Sequence, residues 1–97
     1  MYTVVDLFSG AGGLSRGFLD AGYDVVLGVD HDKAALKTFE ENHAGATAMN
    51  LDLFDHNNID KIVSLLNDFE GYPRRLIIST VEFRDIKVFD NGDIIRF

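Results

Sequence analysis

Between positions 6 and 14 the chain reads Asp-Leu-Phe-Ser-Gly-Ala-Gly-Gly-Leu. Glycine permits positive φ and lets a ligand approach the backbone, and the unpaired N–H groups that open a following helix attract an anionic group. The strict dinucleotide pattern G-x-G-x-x-G would need glycine at position 15, where this chain has Ser15, so the NAD fingerprint fails by one place. Asp30 follows Gly10 by 20 residues. A carboxylate there, just past the end of a second strand, can accept both hydroxyls of a ribose. Asp52 falls just beyond a third strand and could accept from an exocyclic amine. Together these residues indicate an adenosine-containing ligand at the carboxyl edge of one sheet. The plainer alternative is that the glycines serve only a tight strand-to-helix turn. Asp6 has two open readings, a carboxylate on the ligand side or a cap for local N–H groups. Ser9 and Ser15 lack a base at useful spacing and are set aside as nucleophiles. His43 and His56 read as surface or helix-end residues, and no cluster at ligand spacing suggests a metal.

The elements that must position these residues follow from periodicity. Residues 2–8 form a β-branched and aromatic run that suits a buried parallel strand. From Gly13 to Ala21, Leu14, Phe18 and Ala21 recur at helical spacing, with Gly22 placed as a C-cap. Asp24 to Val29 is again strand-like, and Asp30-His31-Asp32 opens a second helix with Leu36, Phe39 and His43 on one face. Residues 46–51 read as a weaker third strand. Ile59, Ile62, Val63, Leu66 and Phe69 mark a third helix, closed by Gly71 and Pro73. Leu76-Ile77-Ile78 gives a fourth strand. The expected fold is α/β, half of a doubly wound Rossmann-like sheet with about four parallel strands and three helices. Residues 1–80 form the βαβαβαβ unit. Asn91-Gly92, flanked by residues 81–89 and 94–97, predicts a terminal antiparallel β-hairpin over 81–97.

Composition narrows the chemistry. The chain has 97 residues, 9 Lys plus Arg against 16 Asp plus Glu, and no cysteine. That length fits one small domain with one core. The missing cysteines exclude a disulfide scaffold, a thiolate metal site and a cysteine nucleophile from these residues. A formal charge of −7 opposes a polyanion, so DNA is a poor partner for this chain alone. Asp20, Asp24, Glu40 and Glu41 read as a solvated acidic surface, and Arg74-Arg75 is too short for a DNA patch. No apolar run approaches the roughly 20 residues of a membrane span, and no signal peptide opens the chain. The expected location is intracellular, cytoplasmic in a prokaryote.

The stretch Asp6 to Leu14, followed by Gly17-Phe18, Ala21-Gly22-Tyr23, Asp30, Asp32, Ala35, Thr38-Phe39 and Asn42-His43, resembles the N-terminal cofactor motif of cytosine-5 DNA methyltransferases, enzymes of restriction-modification and DNA methylation. The likeness covers residues 4–43 and extends loosely to Asp52. It implies S-adenosylmethionine or S-adenosylhomocysteine as ligand, with Phe8, Ser9, Gly10, Ala11, Gly12, Gly13 and Leu14 around the methionine moiety. By the same resemblance Asp30 holds the ribose, His31 stacks against the adenine, and Asp52 with Leu53 binds its amino edge and face.

The departures from that family matter as much. Its Gly-x-Pro-Cys-Gln motif, whose thiolate attacks carbon 6 of the target cytosine, has no counterpart here: Thr80-Val81-Glu82-Phe83-Arg84 or Gly71-Tyr72-Pro73-Arg74 stands at similar spacing. The Glu-Asn-Val segment, the Arg-x-Arg segment and the target-recognition region are missing too. No catalytic residue is expected in this chain. It reads as a truncated single domain, an S-adenosylmethionine-binding fragment or subunit that is inactive alone. A degenerate relative acting as an interaction module and an NAD or FAD domain are the alternatives. A half-built sheet with a free edge further suggests a homodimer or a complementing methyltransferase chain, with DNA reached only through that partner.

Overall fold

The computed structural model describes residues 3–68, 75–79 and 94–96. Strand β1 (Thr3–Leu7) is followed by α1 (Gly13–Asp20), β2 (Asp24–Asp30), α2 (Lys33–Asn42), β3 (Thr47–Asn50), α3 (His56–Asp68), β4 (Arg75–Ser79) and β5 (Ile94–Arg96). They build one sheet in the order β3-β2-β1-β4-β5, with every neighbouring pair parallel. The chain moves outward from β1 to β3 and then returns to β4 on the other side of β1. That reversal is the switch point beside which doubly wound folds bind ligands.

Two cores follow from the pleat. Val5, Leu7, Val29 and Ile77 pack against Ile59, Ile62 and Leu66 of α3, whereas Val4, Val25, Leu76 and Ile78 pack with Phe39 of α2 and Phe18 and Leu19 of α1. Strand β2 departs from this alternation because it is not regular. The β1–β2 register shifts between Val4 and Val5, so that Val4 faces Val25 but Val5 faces Leu27. The extra residue puts both Val26 and Leu27 in the α3 core and turns Gly28 toward α2. There a side chain at position 28 would overlap the ring of Phe39.

The helices carry their own boundary signals. Asp32 caps α2, its side chain accepting from the N–H of Ala34 at 3.0 Å and of Ala35 at 3.2 Å. Helix α1 ends in the paired bonds of a Schellman motif, Tyr23 N–H to Phe18 carbonyl and Gly22 N–H to Leu19 carbonyl, each 3.0 Å. The rings of Phe18 and Tyr23 meet edge to face at 5.3 Å to complete it.

The strand-helix alternation is as the sequence predicts, but the sheet has five strands where about four were expected. Ile94–Arg96 runs parallel to β4, pairing Leu76 with Ile94. Ile94–Arg96 falls within the second arm of the expected hairpin. The first arm and turn of the expected hairpin, residues 81–93, lie outside the described residues, as do Gly71 and Pro73.

Candidate functional site

Three loops meet at the carboxyl edge of β1, β2 and β3. In the first, Phe8 takes φ 59 and Gly10 and Gly12 take φ 55 and 93. The turn is held by Ser9 N–H to Val29 carbonyl at 2.9 Å and Gly12 N–H to Ser9 carbonyl at 3.0 Å. Gly12 is the N-cap of α1, which has no side-chain cap, so the first N–H groups of that helix are available to an anion.

Asp30 joins the first loop to the second. Its Oδ2 accepts from the Gly10 N–H at 2.8 Å and its Oδ1 from the Asp32 N–H at 3.0 Å. Each carboxylate oxygen retains a lone pair for a hydroxyl donor. His31, exposed, brings Nδ1 to 3.4 Å from Asp30 Oδ1. In the third loop the exposed Asp52 accepts through Oδ1 from the Phe54 N–H at 2.9 Å, while its carbonyl accepts from Asn58 Nδ2 at 3.0 Å. The Leu51 N–H reaches the Asp30 carbonyl at 3.0 Å and ties the third loop to the second. The predicted residues from Phe8 to Leu14, Asp30, His31 and Asp52 therefore share one edge. Leu53 differs: it is 2% exposed and packs in the α3 core beneath that edge.

Beneath the glycines lie two groups whose importance the spacing did not reveal. Ser15, fully buried, donates its hydroxyl to Asp6 Oδ2, nine positions earlier. Asp6 is also fully buried, and its Oδ1 has no hydrogen-bond partner. Burial pushes its carboxyl up from 3.8 to about 6; the Ser15 hydroxyl opposes that rise and the charge of Asp30 adds to it. Ser15 thus takes the place of the third fingerprint glycine with a hydrogen bond between α1 and β1. The distance in sequence hid that pairing.

His43 is a correction. It sits at the end of α2 as expected, yet it is 2% exposed and not on the surface. Its ring stacks on Phe39 with centroids 4.4 Å apart, and Nδ1 lies 2.9 Å from the Phe39 carbonyl. A carbonyl only accepts, so Nδ1 carries the proton and Nε2 is left buried without a partner. The pair forms the seat of the glycine turn: a side chain at position 12 would come within 2.5 Å of His43 Cε1 and 2.8 Å of Phe39 Cδ2. A 3.6-residue period could place His43 on the Phe39 face but not reveal the turn above it. His56 begins α3. Among the described residues no group of His, Asp or Glu is arranged to hold a metal, and no helix is long and apolar enough to cross a membrane.

The chain is similar to known proteins in sequence and in fold. The C-5 cytosine-specific DNA methylase family matches residues 2–71. Type II methyltransferase M.HgiGI of Herpetosiphon aurantiacus is 36% identical over 74 residues, 76% of this chain and 53% of its own length. M.AgeI of Thalassovita gelatinovora is 50% identical over 42 residues, 43% of this chain and 10% of its own. M.DdeI of Desulfomicrobium norvegicum is 31% identical across 97% of this chain and 24% of its own length. The chain thus spans between about a tenth and about half of these relatives. Among solved structures, a protein described as a DNA modification methyltransferase encoded within an E. coli prophage superposes with TM-score 0.64 at 29% identity, over 80% of this chain and 22% of that one. The DNMT2 mutant structure from Spodoptera frugiperda, at 19% identity and TM-score 0.54 over 96% of this chain and 28% of that one, shares the fold. By sequence and by its Rossmann-like class I methyltransferase fold, the chain belongs to the C-5 cytosine-specific DNA methylase family.

Proposed function

We propose that this chain binds S-adenosylmethionine at the carboxyl edge of β1, β2 and β3, as the cofactor-binding part of a DNA cytosine-5 methyltransferase. The observation that carries the reading is the Asp30 carboxylate bonded to the Gly10 N–H, beside the uncapped start of α1. The residues suit that ligand. The free N–H groups of α1 match its carboxylate, the remaining lone pairs of Asp30 its ribose hydroxyls, and Asp52, whose Oδ2 stays open, its adenine amine. Phe8, Ser9, Ala11, Gly13 and Leu14 would line the methionine end, His31 the adenine face, and Leu53 the floor below. When bound, the cofactor supplies a methyl group on a sulfonium. Ser15, buried where the NAD fingerprint needs glycine, weighs against a dinucleotide.

With no cysteine among its 97 residues, the chain does not supply the thiolate its family uses. A charge of −7 likewise weighs against DNA contact by this chain alone. Both would come from a complementing methyltransferase chain or segment. Light scattering on the isolated chain tests the alternative of a homodimer.

The deciding experiment is thermal shift and calorimetry with S-adenosylhomocysteine, S-adenosylmethionine and NAD, on wild type and Asp30→Ala. Ligand at 100 times its Kd stabilises the folded state by about 2.7 kcal/mol. The expectation is a shift with both adenosyl ligands, none with NAD, and loss of the shift in Asp30→Ala. No shift with either adenosyl ligand defeats the reading.

A further inference from the structure

Phe54, in the third loop, is the most exposed large apolar side chain among the described residues, at 65%. So open a ring gains little from burial, so its placement has another source. Its centroid lies 5.2 Å from that of Phe8, with the planes inclined by 51°, a tilted aromatic pair. Phe8 is the one non-glycine residue with positive φ among those described. A bulky side chain rarely adopts that left-handed conformation, and it persists only where the surroundings impose it. What the conformation achieves is specific. It aims the next two N–H groups, Ser9 at the Val29 carbonyl and Gly10 at Asp30 Oδ2. The backbone of Phe54 is in turn fixed by Asp52 Oδ1 on its N–H.

We propose that Phe54 is a positioning residue: its ring holds Phe8 in the left-handed conformation and so aims the Ser9-Gly10 backbone. Through it the loop carrying Asp52 is coupled to the glycine turn across the mouth of the site. The effect on the backbone stands on the geometry of this chain alone. Its consequence for affinity rests on the cofactor reading above.

Two measurements test it on Phe54→Ala and the conservative Phe54→Tyr. Amide hydrogen exchange in the ligand-free protein should quicken on the order of tenfold at Ser9 and Gly10 in Phe54→Ala, with Val4 and Val5 unchanged, and should return to the wild-type rate in Phe54→Tyr. Calorimetry should show S-adenosylhomocysteine weakened roughly three- to tenfold in Phe54→Ala, the range of one aromatic pair. Adenine, which lacks the ribose that Asp30 would hold, should weaken less than about twofold on the same scale. Unchanged exchange at Ser9 and Gly10 overturns the proposal. Equal weakening of S-adenosylhomocysteine and adenine also overturns it, in favour of direct contact between Phe54 and the adenine. If wild type binds neither ligand, the cofactor reading fails, while the exchange rates still decide the role of Phe54.

Discussion

Asp6→Asn separates the electrostatics of the site from its shape. Asp6 is fully buried, with one oxygen satisfied by Ser15 and the other by nothing, and its carboxyl is pushed up to about 6. A folded state that holds its proton more tightly than the unfolded chain is favoured at low pH. The stability contributed by protonated Asp6 is complete below 3.8 and lost as pH rises through about 6. At about 1.36 kcal/mol per pH unit the whole effect is about 3 kcal/mol. Roughly 1.4 kcal/mol of it falls between about pH 5 and pH 7.5, a range above the sequence pI of 4.6 where the acidic chain stays charged. Asparagine has nearly the same shape, can still accept from Ser15, and does not titrate. Urea unfolding of both proteins across that range, analysed as the difference in stability, cancels the titrating groups that do not interact with Asp6. Wild type should lose about 1.4 kcal/mol relative to Asp6→Asn as pH rises. At pH 7.5 the variant's relative stability sets relief of the buried charge against an amide N–H₂ left without a partner, which costs about 1–3 kcal/mol. The slope is thus the diagnostic quantity. Parallel stability profiles, within about 0.5 kcal/mol over the range, would refute a carboxylate raised by burial.

The seat of the glycine turn makes two further predictions. Gly12→Ala places a methyl against His43 and Phe39 at positive φ, whereas Gly10→Ala meets nothing within 4 Å. Gly10→Ala should therefore lose about 1–2 kcal/mol from backbone strain alone, and Gly12→Ala about 1–3 kcal/mol more from overpacking, read by thermal unfolding. Equal losses would refute the close approach. Gly28→Ala should cost about 1–3 kcal/mol for the overlap with Phe39, and Phe39→Leu in the same chain should recover part of it; strictly additive effects would place the two residues out of contact.

What could be read from the sequence was what local chemistry decides. The run from Asp6 to Leu14 and the helix opened by Asp30-His31-Asp32 depend on residues close along the chain, and the turn and the helix start fall there; the 20-residue spacing of Asp30 from Gly10 is the length of one strand-helix-strand unit, which brings the two together. What could not be read depends on the sheet. The extra residue in β2 reverses its side-chain alternation, and nothing in Val25-Val26-Leu27 marks which valine is added. Asp6 and Ser15 meet because α1 folds back along β1, and neither residue type at that spacing announces a hydrogen bond. His43 is polar at a helix end, so surface exposure was the reasonable expectation; the stack on Phe39 and the glycine turn above it supply the burial. A fifth parallel strand was equally out of reach, since nothing local in Ile94–Arg96 shows that it pairs with β4.

The two faces of the sheet divide the work. The α3 side is an apolar cluster of Val, Leu and Ile with no buried, unpartnered side-chain polar atom among the described residues. The two buried side-chain polar atoms that lack a partner among those residues, Asp6 Oδ1 and His43 Nε2, lie on the α1 and α2 side, below the glycine turn. An unsatisfied buried group costs about 1–3 kcal/mol, and Phe8 adds about 1–2 kcal/mol of backbone strain at the same edge. A sequence selected for stability alone would remove these features one at a time, since each has a simple repair. Their concentration where an uncapped helix, a half-buried carboxylate and an exposed aromatic ring converge is better explained by a site whose geometry is held against its own energy. The α3 face then supplies the stability that lets it persist.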